Sequence, residues 1–201
     1  MIAIIDYGVG NLFSLNSSLS KIGAESVVSG ERETIERADK IILPGVGAFG
    51  DAAQKLKERG LDVLILDQVR SGKPLLGICL GMQLLFEKSY EYGEHKGLGI
   101  VKGEVRPLIE RISDLKIPHM GWNELRFTKH SEIFEGLKDG DYVYFVHSYY
   151  GKCADDSMIA STDYGFDVTA AVQRGNVFGV QFHPEKSGDV GLKILKNFVN
   201  L

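Results

Sequence analysis

Cysteine is scarce in this chain: Cys79 and Cys153 are the only two among 201 residues. Two thiols make no disulfide framework, so a reducing compartment, the cytoplasm, is the expected setting. Long apolar runs are missing too. No stretch approaches the roughly 20 residues that span a bilayer. The opening Met1-Ile-Ala-Ile-Ile-Asp6 lacks the basic start and long apolar core of a secretory leader and reads as a strand. Positive charge is not in excess either. The 23 Lys and Arg against 27 Asp and Glu give a net charge of −4, with no basic block to track phosphates, so nucleic acid is not an expected partner. No Cys/His spacing resembles a zinc site and no Walker-type phosphate loop is present, so no metal or cofactor is expected. Repeats and low-complexity tracts are lacking as well. With 44% hydrophobic residues, the chain is expected to form a single domain over residues 1–201.

What is present is an alternation of short apolar runs and helix-period segments. Ile2 to Ile5 has the pattern of a buried strand, closed by Gly8-Val9-Gly10. Asn11 is placed to N-cap a helix carrying Leu12, Leu15, Leu19 and Ile22 on one face. Ile41-Ile42-Leu43 is a second strand, followed by Pro44-Gly45-Val46-Gly47, helical segments near 49–59 and 61–70, and a strand ending at Ile78. This order predicts an α/β fold: a mostly parallel central sheet with helices on both faces. The second half predicts strands at 99–105, 122–127, 141–146, 157–162, 168–172 and 177–182, then a helix from about 190 to 200. Some of these strands are expected to form an antiparallel extension of the sheet.

The chemistry centres on Gly77-Ile78-Cys79-Leu80-Gly81-Met82-Gln83. A cysteine between a buried strand and a helix starting near Gly81 meets free backbone N–H groups that favour a thiolate. The flanking glycines permit the tight turn, the thiol counterpart of a Gly-x-Ser-x-Gly elbow. Cys153 has no such frame and reads as inert. A base must come from His95, His119, His130, His147 or His183. His95 and His130 lie in polar stretches expected to be exposed. His147 and His183 each follow an apolar strand, and spacing alone does not choose between them. His183 has Glu185 two residues on, across Pro184, to orient its imidazole.

These motifs, Gly-x-Cys-x-Gly-x-Gln and His-Pro-Glu, closely resemble those of the triad, or class I, glutamine amidotransferases, and the resemblance covers essentially the whole chain. It implies Cys79 as nucleophile, His183 as base and Glu185 as third member, with glutamine hydrolysed to glutamate and ammonia. It further implies an oxyanion site from backbone N–H groups at Leu80 and in the Val46–Gly47 loop. Gln83, Glu91 and the His147–Ser148–Tyr149 backbone would hold the amino-acid end of the substrate. Three segments, Asp6–Asn11, Pro44–Gly50 and Pro118–Asn123, resemble the branch of the family that serves imidazole glycerol phosphate synthesis. That branch implies a (β/α)8-barrel cyclase partner forming a heterodimer, with Asn11, Met120, Trp122 and Asn123 toward the interface. For Trp122 alone, core and interface are equal readings. Service to an anthranilate or pyridoxal phosphate synthase, hydrolysis of another amide such as a γ-glutamyl peptide, and a non-catalytic partner-holding subunit stay open. Tyr150 and the stretch Arg106–Lys116 receive no role.

Overall fold

The computed structural model describes residues 1–201. The first part runs β1 (Ile2–Ile5), α1 (Leu12–Lys21), β2 (Ser26–Ser29), α2 (Arg32–Arg37), β3 (Lys40–Leu43), α3 (Phe49–Glu58), α4 (Leu61–Arg70), β4 (Leu75–Ile78) and α5 (Leu80–Leu84). Strands then dominate: β5 (Phe86–Ser89), β6 (His95–Lys96), β7 (Val101–Pro107), β8 (His119–Glu124), β9 (Arg126–Phe127), β10 (Tyr142–His147), β11 (Tyr149–Cys153), β12 (Met158–Asp163), β13 (Asp167–Arg174) and β14 (Val177–Val180). The last element is α6 (Gly188–Val199).

Eight strands form the central sheet in the order β2-β1-β3-β4-β14-β13-β12-β9. The run from β2 to β14 is parallel, and β13, β12 and β9 extend it antiparallel, as expected. The parallel strands are apolar on both faces because both faces are covered. Alternation along them divides the core in two. Ile2 and Ile4 of β1, Ile42 of β3 and Leu76 and Ile78 of β4 pack with Leu15 and Leu19 of α1 and Ile194, Leu195 and Phe198 of α6. Ala3 and Ile5, with Ile41 and Leu43, face α3 and α4 through Phe49, Leu56, Leu64 and Ile65. A four-stranded sheet, β11-β7-β5-β6, and a β10-β8 ladder complete the fold.

Several expectations need correcting. The Asn11 side chain makes no capping hydrogen bond to α1, since its backbone (φ −87°, ψ 64°) departs from the extended geometry that aims such a cap. The strand expected over 122–127 starts three residues earlier and is split into β8 and β9, and the strand expected over 177–182 ends at Val180. His95 is half-buried rather than exposed, its ring lying over Gly50 where any Cβ would collide. The stretch Arg106–Lys116 ends β7 and makes a 3-10 turn, burying Leu108 and Ile112 with Tyr150 and Val168 in a small satellite core. That packing is the place of Tyr150, whose ring meets Phe166 edge-on at 5.0 Å.

Candidate active site

The site grows out of the register between β4 and β14. Gly179 pairs with Gly77 and Val180 with Ile78, so the next residues, Gln181 and Cys79, emerge side by side at the carboxyl end of the sheet. The Cys79 N–H donates to Val180 O at 2.8 Å, holding the two chains together at this exit. Cys79 then turns with φ 54° and ψ −111°, a left-handed conformation costly for a residue with a Cβ and characteristic of strained functional turns. The glycine frame is a packing requirement. A Cβ on Gly81 would run into the Leu43 carbonyl, and one on Gly77 would lie 2.7 Å from Gly81 O. The helix that follows begins at Leu80, one residue earlier than expected, and lasts only five residues. Its dipole is therefore slight; what it offers is the first-turn N–H groups, including that of Leu80, which have no partner within the helix.

His183 arrives two residues past Gln181. Its N–H donates to Tyr144 O at 2.9 Å, and the Ser187 hydroxyl donates to its carbonyl at 2.6 Å while accepting the Tyr144 N–H at 3.0 Å. Pro184 opens a 3-10 turn that folds Glu185 back, setting His183 Nδ1 2.8 Å from Glu185 Oε1 with both side chains only 3% exposed. A carboxylate only accepts, so the proton sits on Nδ1 and Nε2 is left for the sulfur. Burial alone would pull the His183 imidazolium down. Its contacts with Cys79 and Glu185, through hydrogen bonds and charge, outweigh this and raise it to about 9. Glu185 Oε2 is buried without a partner, so the carboxylate's compensation comes mainly through His183.

His147 is differently situated. Burial pushes its pKa down to about 3, and both ring nitrogens are engaged, Nδ1 with Tyr149 O at 2.8 Å and Nε2 with His119 Nδ1 at 3.0 Å. It has no nitrogen free to take a proton from Cys79.

A cleft of about 350 Å³ opens above Cys79 and His183. Val46, Gly47, Leu80, Gln83, Glu91, His147, Ser148 and Tyr149 all line it, with Pro118 and Val146. The volume suits a small polar ligand. Gln83 donates one amide hydrogen to Tyr149 O and the other to Gln181 Oε1, both at 3.0 Å, leaving only its own Oε1 for a ligand. Glu91 accepts the Phe49 N–H at 2.6 Å, and burial raises its pKa. Gly47 has φ +95°, and Val46 beside it is 43% exposed. Met120 and Trp122 are 61% and 55% exposed, so Trp122 is not core. Asn123, in contrast, turns its amide inward to Asp163 O and His119. Asn11 lies behind the cysteine turn, by Pro44, His183 and Glu185.

The roles of four residues here escaped the sequence reading: Gln181, His119, Ser187 and Tyr7. Gln181 lies two residues before His183, but nothing in sequence says that its amide reaches Cys79 Sγ at 3.7 Å. The buried Tyr7 hydroxyl donates to Pro44 O at 2.7 Å and anchors the loop leading to Val46, its phenol pushed up first by burial and then by Cys79. No cluster of three His, Cys, Asp or Glu side chains is placed to hold a metal ion.

A thiol at a strand-to-helix elbow and a His–Glu pair at the neighbouring strand's end make a cysteine-nucleophile type of site on an α/β sheet. The profile of the family "Glutamine amidotransferase class-I" matches residues 3–201, and the chain belongs to that family. Among curated relatives, the imidazole glycerol phosphate synthase subunit HisH of Bacillus cereus is 54% identical over 198 residues, 98% of this chain and 93% of the relative. The subunits of the same name from Sulfurimonas denitrificans and Aquifex aeolicus are 53% and 54% identical, covering 98% and 97% of this chain and 97% and 94% of their own lengths. Among solved structures, a glutamine amidotransferase superposes with a TM-score of 0.77 at 20% identity, over 100% of both chains. A chain of PurLQS from Thermotoga maritima does so at 0.77 and 22%, over 99% of this chain and 97% of that one.

Proposed function

We propose that this chain is the glutaminase subunit of an imidazole glycerol phosphate synthase, working through Cys79, His183 and Glu185. His183 Nε2 takes the Cys79 proton, Sγ attacks Cδ of the glutamine side chain, and the carbonyl π electrons move onto oxygen. Backbone N–H groups of Leu80 and the Val46–Gly47 loop receive that oxyanion. Such a donor is worth about 10²–10³ in rate. When the oxyanion collapses, the C–N bond breaks, His183 gives its proton to the departing nitrogen and ammonia leaves. His183 then takes a proton from water, whose oxygen attacks the thioester. The C–S bond breaks, His183 returns its proton to sulfur, and glutamate and the free thiol result. Glu185 holds the imidazole in the tautomer these steps require.

The observation that carries the reading is the buried 2.8 Å His183–Glu185 pair beside a cysteine in a left-handed turn. The ammonia is useful only to an acceptor. The name borne by the curated relatives, a subunit of imidazole glycerol phosphate synthase, supports a partner subunit. We infer that this partner is the cyclase of histidine biosynthesis, in a cytoplasmic heterodimer with a lyase-type overall reaction. The exposed Met120 and Trp122 support β8 as part of the docking face. Cys79→Ala tests the chemistry: glutamate release from glutamine is expected to vanish while the circular dichroism spectrum and partner binding are retained. Substantial remaining turnover would mean that the nucleophile is misassigned.

A further inference from the structure

β8 has two faces. Met120 and Trp122 point outward, while His119 and Asn123 point inward, and the ladder pairs His119 directly with His147 of β10. The hydrogen bonds running inward admit one arrangement of protons. Asn123 is oriented at both ends of its amide: Nδ2 donates to Asp163 O at 2.8 Å, and Oδ1 accepts the Glu124 N–H at 3.0 Å. Its NH₂ group therefore faces His119 Nε2, at 3.4 Å, as a donor, and Nε2 must accept. At the other end, Tyr149 O only accepts, so His147 Nδ1 carries a hydrogen. Between them His119 Nδ1 meets His147 Nε2 at 3.0 Å, where one must donate and one accept. With His119 Nε2 an acceptor, the neutral ring has its hydrogen on Nδ1 and donates to His147.

We propose that His119 is a positioning residue for the glutamine site: its Nδ1–H holds the His147 ring in place, and through His147 it fixes the Tyr149 carbonyl on which Gln83 is set. Three further observations bear on this. His119 is clamped between Tyr164, stacked at 4.0 Å, and Phe145, stacked at 4.7 Å, so its ring has one orientation. Burial holds both imidazoles neutral, pulling His119 down to about 4 and His147 to about 3. Tyr149 O also accepts from Gln83, which bonds Gln181, which in turn reaches Cys79 Sγ. A continuous hydrogen-bonded line thus joins the outward-facing strand to the nucleophile. Without the His119 donor, His147 Nε2 is a buried acceptor with no partner. The ring relieves this by turning toward another donor, which loosens its bond to Tyr149 O.

The proposal rests on the glutaminase reading for what the cleft binds, and not for the tautomers, so two arms separate the two. The first is the histidine side-chain ¹H–¹⁵N spectrum of the full chain. His119 and His147 are expected as neutral Nδ1-protonated rings throughout about pH 5.5 to 8. In His119→Phe, which keeps a ring to stack, the His147 Nε2 resonance moves downfield to that of an acceptor without a donor and its Nδ1–H exchanges faster with water; in His119→Asn, which keeps a donor where Nδ1 was, both return toward wild type. A His147 that is Nε2-protonated in the wild type, or unchanged in His119→Phe, overturns the proposal. The second arm is steady-state hydrolysis. His119→Phe is expected to raise the glutamine KM about tenfold with kcat changed less than about threefold, and His119→Asn to return KM toward wild type. An unaltered KM in His119→Phe, from a wild type that hydrolyses glutamine, also overturns it. A wild type with no hydrolysis overturns the glutaminase reading instead, and the spectra still decide the histidine chain. If His119→Phe does not fold, the wild-type and His119→Asn spectra make the decision.

Discussion

Gln181 and Cys79 lie 102 residues apart in sequence, and the Gln181 amide donates to the cysteine sulfur at 3.7 Å. The contact follows from register: one step beyond the Val180–Ile78 pair, the two chains leave the sheet together. Both side chains are buried, Gln181 completely, so the donor acts on the sulfur with little competition from water. The same register step sets His183 two residues further along the same exit.

Removing that donor should slow attack by Cys79. Gln181→Leu keeps the bulk and deletes both the bond to sulfur and the acceptor for Gln83. We expect kcat/KM for glutamine to fall by about tenfold or more, in line with the roughly 1.5–3 kcal/mol typical of hydrogen bonds to charged groups. Unchanged kinetics would mean that the contact does not assist the nucleophile.

Folding keeps the His183 proton up to about pH 9, against an ordinary 6.5, because Cys79 and Glu185 outweigh the cost of burial. In the pH range between these values the unfolded chain binds fewer protons than the folded one. The stabilisation from His183 is therefore complete below about pH 6.5 and lost as pH rises through about 9. In thermal melts, the deficit of His183→Asn relative to wild type should shrink between about pH 6 and pH 9.5. A deficit that grows with pH would contradict the pairing.

Trp122 is 55% exposed and meets Tyr144 edge-on at 6.1 Å. An exposed aromatic of this kind adds little to folding but is a typical anchor at an interface. Trp122→Ala should leave Tm nearly unchanged and weaken binding of the cyclase partner by about 30-fold, roughly 2 kcal/mol. A large loss of Tm with unchanged affinity would return Trp122 to a structural role.

Much of this site was legible before the fold was known. The Gly-x-Cys-x-Gly turn is written in sequence because close packing against the Leu43 carbonyl excludes any side chain at Gly81. The His183–Glu185 pair is legible because it is a contact within one turn. The parallel strands were legible because burial on both faces leaves them uniformly apolar. The edge strand β2, Ser26–Ser29, escaped because it is short and only half-covered, and β5 because two of its four residues, Glu87 and Lys88, are charged. His119 and Gln181 were illegible for a different reason. Their partners are set by ladder registers joining distant segments, and no local pattern encodes a register. The failed Asn11 cap shows the limit of local rules: residue type suits the role, but the glycine-bounded turn before α1 gives the wrong backbone angle.

The Val46–Gly47 loop lines the cleft, with Val46 exposed and Gly47 at φ +95°. In the proposed mechanism, rotation of the peptide between them would present or withdraw an oxyanion donor, so partner docking would act through it. The measurement that tests the account most directly is glutamate formation from glutamine by the wild-type chain alone, with the cyclase partner, and with the partner and its nucleotide ligand together. The account predicts weak turnover by the isolated chain and a marked rise when both are present. Equal turnover in all three mixtures, or none in any of them from folded protein, would contradict it.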